Sequence, residues 1–381
     1  VLFFPLLMAA TLIYAGLLLH MRGMLRQNSP GESLSPHDMA VTVIVAARNE
    51  ENNLPQLFRH LEQQKLSPSL PVEFILVNDR STDGTGRLLE EQAARDPRFR
   101  YIHIHDRLPG FAPKKRAIDT AVRAARGQYI LLTDADGRPG PLWIVTLMAY
   151  FERGADMLLG YAPYSIDPGH RFVQGLVALE YFSVAAVAAA TTFMRFPVTC
   201  VGTNMAYRRQ LFLDVDGFGP HKHILSGDDD LFLTHVREQK KYDIRYACDS
   251  RAHVFNAPPK TLRQYIHQRL RYASKGFKYP LKVVLALSAY VLYNAALLWA
   301  LIAVVVSPSL GAAVLFIFAL KVIPEFLFLN KAARIMGERR VLRWFLPAAA
   351  LHIFYILFFG ILGQFNLFRW KEEKIQHGVL S

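Results

Sequence analysis

The sequence predicts a mixed α/β domain with a mainly parallel sheet, set between membrane-spanning helices. Three observations carry this. Short β-branched runs alternate with helical stretches between residues 41 and 133, the pattern of strands joined by crossover helices. Long uncharged runs occupy both ends of the 381-residue chain. Polar, carboxylate-rich clusters follow the strand-like runs, at the sheet rim where such folds bind ligands.

Residues 1–19 carry no charge and are about long enough to cross a bilayer core. Arg22 and Arg26 follow this run rather than precede it, unlike the basic start of a cleaved signal peptide. Residues 1–21 are therefore expected as an uncleaved anchor whose C-terminal side faces the cytoplasm. Residues 22–40, with Asn28, Pro30, Gly31 and Pro36, are expected as a linker. Strands are expected at 41–47, 72–77, 100–105 and 129–133. Helices are expected around Leu54, Leu57, Phe58 and Leu61, over 87–94 and over 115–125. Residues 171–194 are apolar, but Arg171, Glu180 and Arg195 interrupt or bound them, so a buried or interfacial helix is expected rather than a crossing.

Further apolar runs cover 283–306, about 310–329 and 344–368, giving a membrane region at 281–369 and a tail at 370–381. Lys331, Arg334, Arg339, Arg340 and Arg343 crowd the loop before the last run. The excess of positive charge on cytoplasmic loops places that loop, and with it residues 22–282, in the cytoplasm. The last run either crosses, exporting the tail with Arg369, Lys371 and Lys374, or stays interfacial. Lys321 and Glu325 stand four residues apart in an apolar run. They are expected as a neutralising pair, with a lipid-headgroup contact as the alternative.

The net charge is +13, from 44 basic and 31 acidic residues. Between Lys260 and Lys282 there are seven Lys or Arg and no Asp or Glu, beside a membrane run. Such placement fits an anionic membrane surface better than nucleic acid, and no nucleic-acid partner is expected. Cys200 and Cys248 sit in no metal-ligand spacing and are expected as inert core thiols.

Three clusters follow expected strands: Ala46-Ala47-Arg48-Asn49-Glu50-Glu51, Asn78-Asp79-Arg80-Ser81-Thr82-Asp83, and Thr133-Asp134-Ala135-Asp136-Gly137. Each alone reads as an acidic helix start favoured by the helix dipole. Together, at one rim of one sheet, they describe a site. Asp134 and Asp136 direct two hard carboxylates to one point. Mg²⁺ or Mn²⁺ prefers such oxygen ligands, completed by substrate phosphates.

With these clusters in hand, residues 41–280 resemble the family 2 glycosyltransferases, which have the GT-A fold, and the flanking apolar runs suit the membrane-bound branch. The resemblance implies an α/β, GT-A-like nucleotide-sugar-binding domain with flanking transmembrane helices. It implies that Ala47, Arg48, Glu50 and Asp79 hold the nucleotide base and ribose, and that Asp134 and Asp136 hold the metal and diphosphate. Lys114 and Lys115 fall where a basic residue approaches the donor, and Lys115 is assigned to it. The segment Gly202-Thr203-Asn204 resembles the part beside the donor sugar and acceptor, with Gly202 and Asn204 on the acceptor. Asp216-Gly217-Phe218 resembles a Gly-Gly-Phe motif, its plainer role being a packing turn.

Ser226-Gly227-Asp228-Asp229-Asp230-Leu231 resembles the acidic motif that supplies the catalytic base, with Asp228 as the base and Asp229 as its competitor. Gln268-Arg269-Leu270-Arg271-Tyr272 resembles the Gln-x-x-Arg-Trp motif of membrane polysaccharide synthases, with tyrosine for tryptophan. By it, Gln268 and Arg271 contact the donor and Tyr272 borders the acceptor. The implied activity is inverting transfer, of hexosyltransferase type, from a nucleotide-sugar, preferably a UDP-sugar. The acceptor is a membrane lipid or lipid-linked glycan at a bacterial inner membrane, with a cytoplasmic catalytic domain. A processive polysaccharide synthase is the rival within the class. A transporter with a nucleotide-binding domain is the rival outside it, disfavoured because no P-loop signature is present.

Overall fold

The computed structural model describes residues 2–30, 39–166, 171–259, 261–274, 281–365, 375–376 and 379–380. The chain divides into two compact units. One comprises Val1–Arg26, Ile166–Ala186 and Pro259–Ser381, and the other Gln27–Ser165 and Val187–Pro258. The first helix, α1 (Phe3–Met24), belongs to the former and continues past residue 21, so the expected linker begins later than its sequence suggested.

The discontinuous unit, residues 27–165 and 187–258, is an α/β domain. Its elements run β1 (Val41–Ala47), α2 (Leu54–Glu62), β2 (Val72–Asp79), α3 (Thr85–Arg95), β3 (Phe99–Ile104), α4 (Pro113–Ala124), β4 (Tyr129–Leu132), β5 (Arg138–Pro139), α5 (Trp143–Glu152) and β6 (Met157–Gly160). The helix α6 (Arg171–Phe193) crosses the division between the units. Then come β7 (Met205–Arg208), α7 (Arg209–Asp214), α8 (Asp230–Glu238), β8 (Ile244–Ala247) and β9 (Val254–Phe255). Among the described residues seven strands form the main sheet, in the order β3-β2-β1-β4-β7-β6-β8. The four expected strands are β1 to β4, all parallel. β7 runs antiparallel to β4 and β6, and β8 is parallel to β6.

β1 reads Val-Thr-Val-Ile-Val-Ala-Ala because both its faces are covered, and a doubly covered strand needs a continuous apolar run. Val41, Val43 and Val45 join Phe74, Leu76 and Leu131 in a core with Leu54, Leu57 and Leu61 of α2 and Ile144 and Leu147 of α5. The crossover from β3 to β4 carries the chain past β2 and β1, so the direction of strand addition reverses between β1 and β4. A ligand crevice forms outside the C-terminal strand ends at such a reversal. The clusters after Ala47 and Leu132 both open there. Asn28 and Ser29 are docked on this unit rather than loose. Asn28 donates to the Tyr246 carbonyl at 2.7 Å and accepts from the Tyr150 hydroxyl at 3.2 Å, and Ser29 donates to Asp249. Residues 31–38 of the expected linker lie outside the described residues.

The other unit contains α1, α9 (Leu262–Ala273), α10 (Leu281–Val306), α11 (Gly311–Ile335) and α12 (Phe345–Leu362). Leu7, Tyr293, Leu297, Ala300, Val314, Ile317 and Ile353 form a core among α1, α10, α11 and α12. Lys321 pairs with Glu325 at 2.7 Å, as expected, and the Tyr14 hydroxyl donates to the same Glu325 oxygen at 2.7 Å. Five described helices are long and apolar enough to cross a membrane, and α6 is one of them. Its charge argued against crossing in the sequence, but Glu180 is compensated. The Arg269 guanidinium meets it at 2.5 Å and the Tyr355 hydroxyl donates to it at 2.8 Å. α6 is also the most enclosed of the five, with 61% of its apolar window buried against 17–33% for the others. The expected tail at 370–381 and the end of the last run fall largely outside the described residues, as do Lys260, Lys275 and Lys278 of the basic segment.

Candidate active site

The end of β4 turns sharply into Asp134-Ala135-Asp136-Gly137, with the Gly137 amide donating to the Asp134 carbonyl at 2.9 Å. A side chain at Gly137 would collide with the Thr133 hydroxyl, so glycine is what lets the two aspartates sit on one tight loop. Asp134 is engaged at both oxygens. Oδ1 receives the Lys114 ammonium at 2.8 Å, and Oδ2 accepts the Thr203 hydroxyl. The same Lys114 ammonium reaches Oδ2 of Asp228 at 2.8 Å. One cation therefore ties the Asp-x-Asp loop to the Ser226–Leu231 motif, although 94 positions of sequence separate the two aspartates.

Burial opposes ionisation of Asp228, yet Lys114 beside it outweighs burial, with help from Lys115, and holds the carboxyl at about 2. Burial likewise disfavours the Lys114 charge, and Asp134 and Asp228 reverse that and hold the ammonium protonated. Asp136 behaves oppositely. The residue is exposed, but desolvation by the surrounding protein, then the charges of Asp134 and Glu50, push it up to about 6. The charges of Asp134 and Glu50 thus disfavour the ionised form of Asp136, and a cation added there would relieve this. No group of three or more His, Cys, Asp or Glu among the described residues is arranged to hold a metal unaided. The donor set fits Mg²⁺ or Mn²⁺ completed by phosphate oxygens.

Asp229 is a helix cap. Its Oδ1 accepts the Asp230 amide at 2.8 Å at the start of α8, and its Oδ2 accepts the Gly202 amide at 3.2 Å. The motif therefore separates into a site-facing Asp228 and a capping Asp229. Gly202 lines the site: a β-carbon there would lie 3.2 Å from Asp228 Oδ2 and 3.7 Å from the Lys114 nitrogen.

Two assignments are corrected. Lys115 turns into the interior, fully buried, and donates to the carbonyls of His221 at 2.7 Å and Ser226 at 3.3 Å. It fixes the loop that leads into the acidic motif, and the cation facing Asp134 is Lys114. Asn204 is equally committed. Its Nδ2 donates to the carbonyls of Tyr161 and Ala252, both at 2.8 Å, and its Oδ1 accepts Trp143 Nε1 at 3.0 Å. At 1% exposure it knits the domain together and presents nothing to an acceptor. Thr203, between Gly202 and Asn204 and given no role of its own by the sequence, is the residue that touches Asp134.

The remaining residues lie where the strand ends put them. Ala47 is buried at the end of β1, and Arg48 and Glu50 follow it in the connecting loop. Asn49, in the left-handed region at φ 53°, accepts the Thr82 amide at 2.9 Å, and Glu51 accepts the Gly84 amide at 2.7 Å, so the first two clusters are stitched together. Asp79 ends β2 in a forked pair with Arg80, at 2.8 and 3.2 Å. Asp216-Gly217-Phe218 is a turn whose Phe218 packs on Phe212 and Phe232. Gln268, Arg271 and Tyr272 belong to α9 in the other unit, where the Arg271 guanidinium stands 5.2 Å from the Tyr272 ring centre. The sequence missed Arg269, which is buried against Glu180, Tyr181, Tyr265 and Tyr272.

Six of the seven strands run in one direction, only β7 opposing them among the described residues, and β4 leads into an Asp-x-Asp loop that Lys114 ties to a second acidic motif; the fold is that of the GT-A glycosyltransferases. The profile of "Glycosyl transferase family group 2" matches residues 129–362, more than half of the chain, and that of "Glycosyl transferase family 2" matches residues 42–215. The chain belongs to this glycosyltransferase family and is a transferase. It is similar to the mannosyltransferase of Pyrobaculum calidifontis solved with GDP-Man and Mn²⁺, at TM-score 0.57 and 18% identity over 97% of this chain and 99% of that one. It is 28% identical over 158 residues to an uncharacterized protein of Methanocaldococcus jannaschii, covering 40% of this chain and 65% of that protein. It is 31% identical over 118 residues to the undecaprenyl-phosphate 4-deoxy-4-formamido-L-arabinose transferase of Proteus mirabilis, covering 31% and 34% respectively. The chain thus spans about two thirds of the first of these curated relatives and a third of the second.

Proposed function

We propose that this chain transfers a sugar, with inversion at the anomeric carbon, from a nucleotide-sugar to a membrane lipid or lipid-linked glycan. The observation that carries the reading is the Lys114 ammonium shared by Asp134 and Asp228. It brings a carboxylate suited to a metal–diphosphate group and a carboxylate suited to a base within reach of one small ligand. Asp228 would accept the proton of an acceptor hydroxyl as its oxygen attacks and the bond to the diphosphate breaks. Asp134 and Asp136 would hold Mg²⁺ or Mn²⁺. Such an ion, when bound, offsets the charge that grows on the leaving diphosphate. Glu50 and Asp79, with Ala47 and Arg48, line the strand ends assigned to the nucleotide. Gln268 and Arg271 keep their assignment to the donor, and Tyr272 to the acceptor, on the family resemblance alone.

The lipid acceptor is supported by the helices able to cross a membrane and by the undecaprenyl-phosphate transferases among the relatives. We place the protein in a bacterial inner membrane with its α/β unit in the cytoplasm, from the basic loop at Lys331–Arg343. A UDP-sugar remains the first donor to try. The test incubates purified protein and membrane-lipid extract with labelled UDP- and GDP-sugars, then separates organic-soluble product from high-mass polymer. Early label in a lipid fraction is the expected result. Label only in long polymer would make the chain a processive synthase, and donor binding without transfer or hydrolysis would remove the enzymatic reading.

A further inference from the structure

Asp134 has no uncommitted oxygen. The Thr203 hydroxyl holds Oδ2, and the only partner on Oδ1 among the described contacts is the Lys114 ammonium. Each oxygen keeps a second lone pair, but a divalent ion seated on Oδ1 would stand close beside the Lys114 ammonium, 2.8 Å from the same atom, and the repulsion between the two cations favours displacement of Lys114. The Thr203 hydroxyl can stay, since it donates from the other side. The same ammonium sits on Asp228 Oδ2. An oxygen engaged by an ammonium is a poor acceptor for a hydroxyl proton, so one of the two oxygens of the proposed base is occupied while Lys114 remains. All three groups are partly exposed, with side chains 27%, 31% and 16% accessible, so an incoming ligand reaches them. The Gly202 backbone adds the needed room, having no side chain to wall off the ammonium.

We propose that Lys114 is a place-holder cation. Without donor it fills the position between Asp134 and Asp228 that a divalent ion and the donor diphosphate would occupy, and their arrival moves it off both carboxylates. This rests on the proposed donor and metal site and adds to it an order of events. Both oxygens of Asp228 are released only as the donor is seated, which favours donor before acceptor. Lys114 carries a long, unbranched stem with a single charged end, which suits a group that must change partners. Buried Lys115, by contrast, anchors the neighbouring loop through the backbone carbonyls of His221 and Ser226.

The test measures binding of Mn²⁺ alone, without nucleotide, to the purified full chain by electron paramagnetic resonance. Wild type, Lys114→Met and Lys114→Arg are compared. Removing the competing cation should tighten Mn²⁺ binding by about tenfold in Lys114→Met, a coupling of ordinary size between two ligands of one site. Lys114→Arg, which keeps the charge, should bind Mn²⁺ no more tightly than wild type. Thermal unfolding identifies a variant that has lost its fold, and Lys114→Gln then takes its place with the same readout. Equal or weaker Mn²⁺ binding in a folded neutral variant overturns the place-holder role while leaving the metal site standing. Absence of Mn²⁺ binding in every protein, with or without UDP or GDP, overturns the metal reading and the inference with it.

Discussion

Asp228 and Asp229 are adjacent carboxylates whose partners give them different tasks. Asp228 meets an ammonium and Asp229 meets two backbone amides. Asp228→Asn should lower sugar transfer by at least about 10²-fold, the scale of a lost general base, with an unfolding temperature close to wild type. Asp229→Asn should keep most activity, because asparagine caps a helix nearly as well as aspartate. Loss of turnover in Asp229→Asn alone would move the base by one residue. Asn204 is the contrasting case. Asn204→Ala leaves the Trp143 N–H and the Tyr161 and Ala252 carbonyls without their partner, at a cost of about 3 kcal/mol for several buried polar groups. Chemical unfolding should show that loss, while the folded fraction keeps its acceptor KM. A stable variant with a raised acceptor KM would restore Asn204 to the acceptor site.

At the level of elements, α4 shows what the sequence held and what was passed over. Its buried positions include Lys115, Ile118, Ala121 and Val122, a spacing of three and four that belongs to one helix face. Lys115 therefore belonged to the inward face by periodicity, and Lys114, about a third of a turn away, to another. The strand pattern was legible because β1, β4 and the middle of β2 are covered on both faces and so are largely apolar, while β3, at the sheet edge, mixes polar and apolar residues. β6 and β7 were not singled out, since four-residue strands beside an alanine-rich helix carry little pattern. The pairing of Asp134 with Asp228 was beyond local reading, because it depends on how distant loops converge. Nor could one sequence show that Glu180 of α6 would be answered by Arg269 of α9.

The loop after β8 supplies an acid-sensitive fastening. Burial pushes Asp249 up, but hydrogen bonds from Arg251 and Ser29 outweigh it and hold the carboxyl at about 2, below its usual 3.8. A depressed folded value stabilises the fold above the unfolded value and loses that contribution as pH falls from about 4 to about 2. Asp249→Asn should therefore cost on the order of 1–2 kcal/mol at neutral pH. It should also flatten the fall in stability between pH 4 and 2, as followed by chemical unfolding. An unchanged acid limb would show that the fastening contributes nothing. The neighbouring Cys248 thiol is pushed up to about 12 by burial and by Asp249, so it stays protonated, as an inert core thiol should.

On the scale of the whole molecule, the apolar helices are held by more than greasy contact. Glu325 receives both Lys321 and the Tyr14 hydroxyl, joining α11 to α1. Replacing Glu325 with leucine strands a buried ammonium and should cost about 3–5 kcal/mol, read as a lower unfolding temperature in detergent. Lys321→Met combined with Glu325→Leu should recover most of it. A single variant as stable as wild type would reduce the pair to decoration.

A ribosome delivers β1 to β4 first, yet β7, which lies between β4 and β6, emerges only after the long apolar α6. Until residue 208 has been made, the sheet stops at β4 with an open edge, and β6 waits with neither of its neighbours. Unpaired edges of this kind are where nascent chains stick to one another. Asp228 is translated later still, so a chain stalled after residue 208 carries its Asp-x-Asp loop without the second aspartate that Lys114 ties to it.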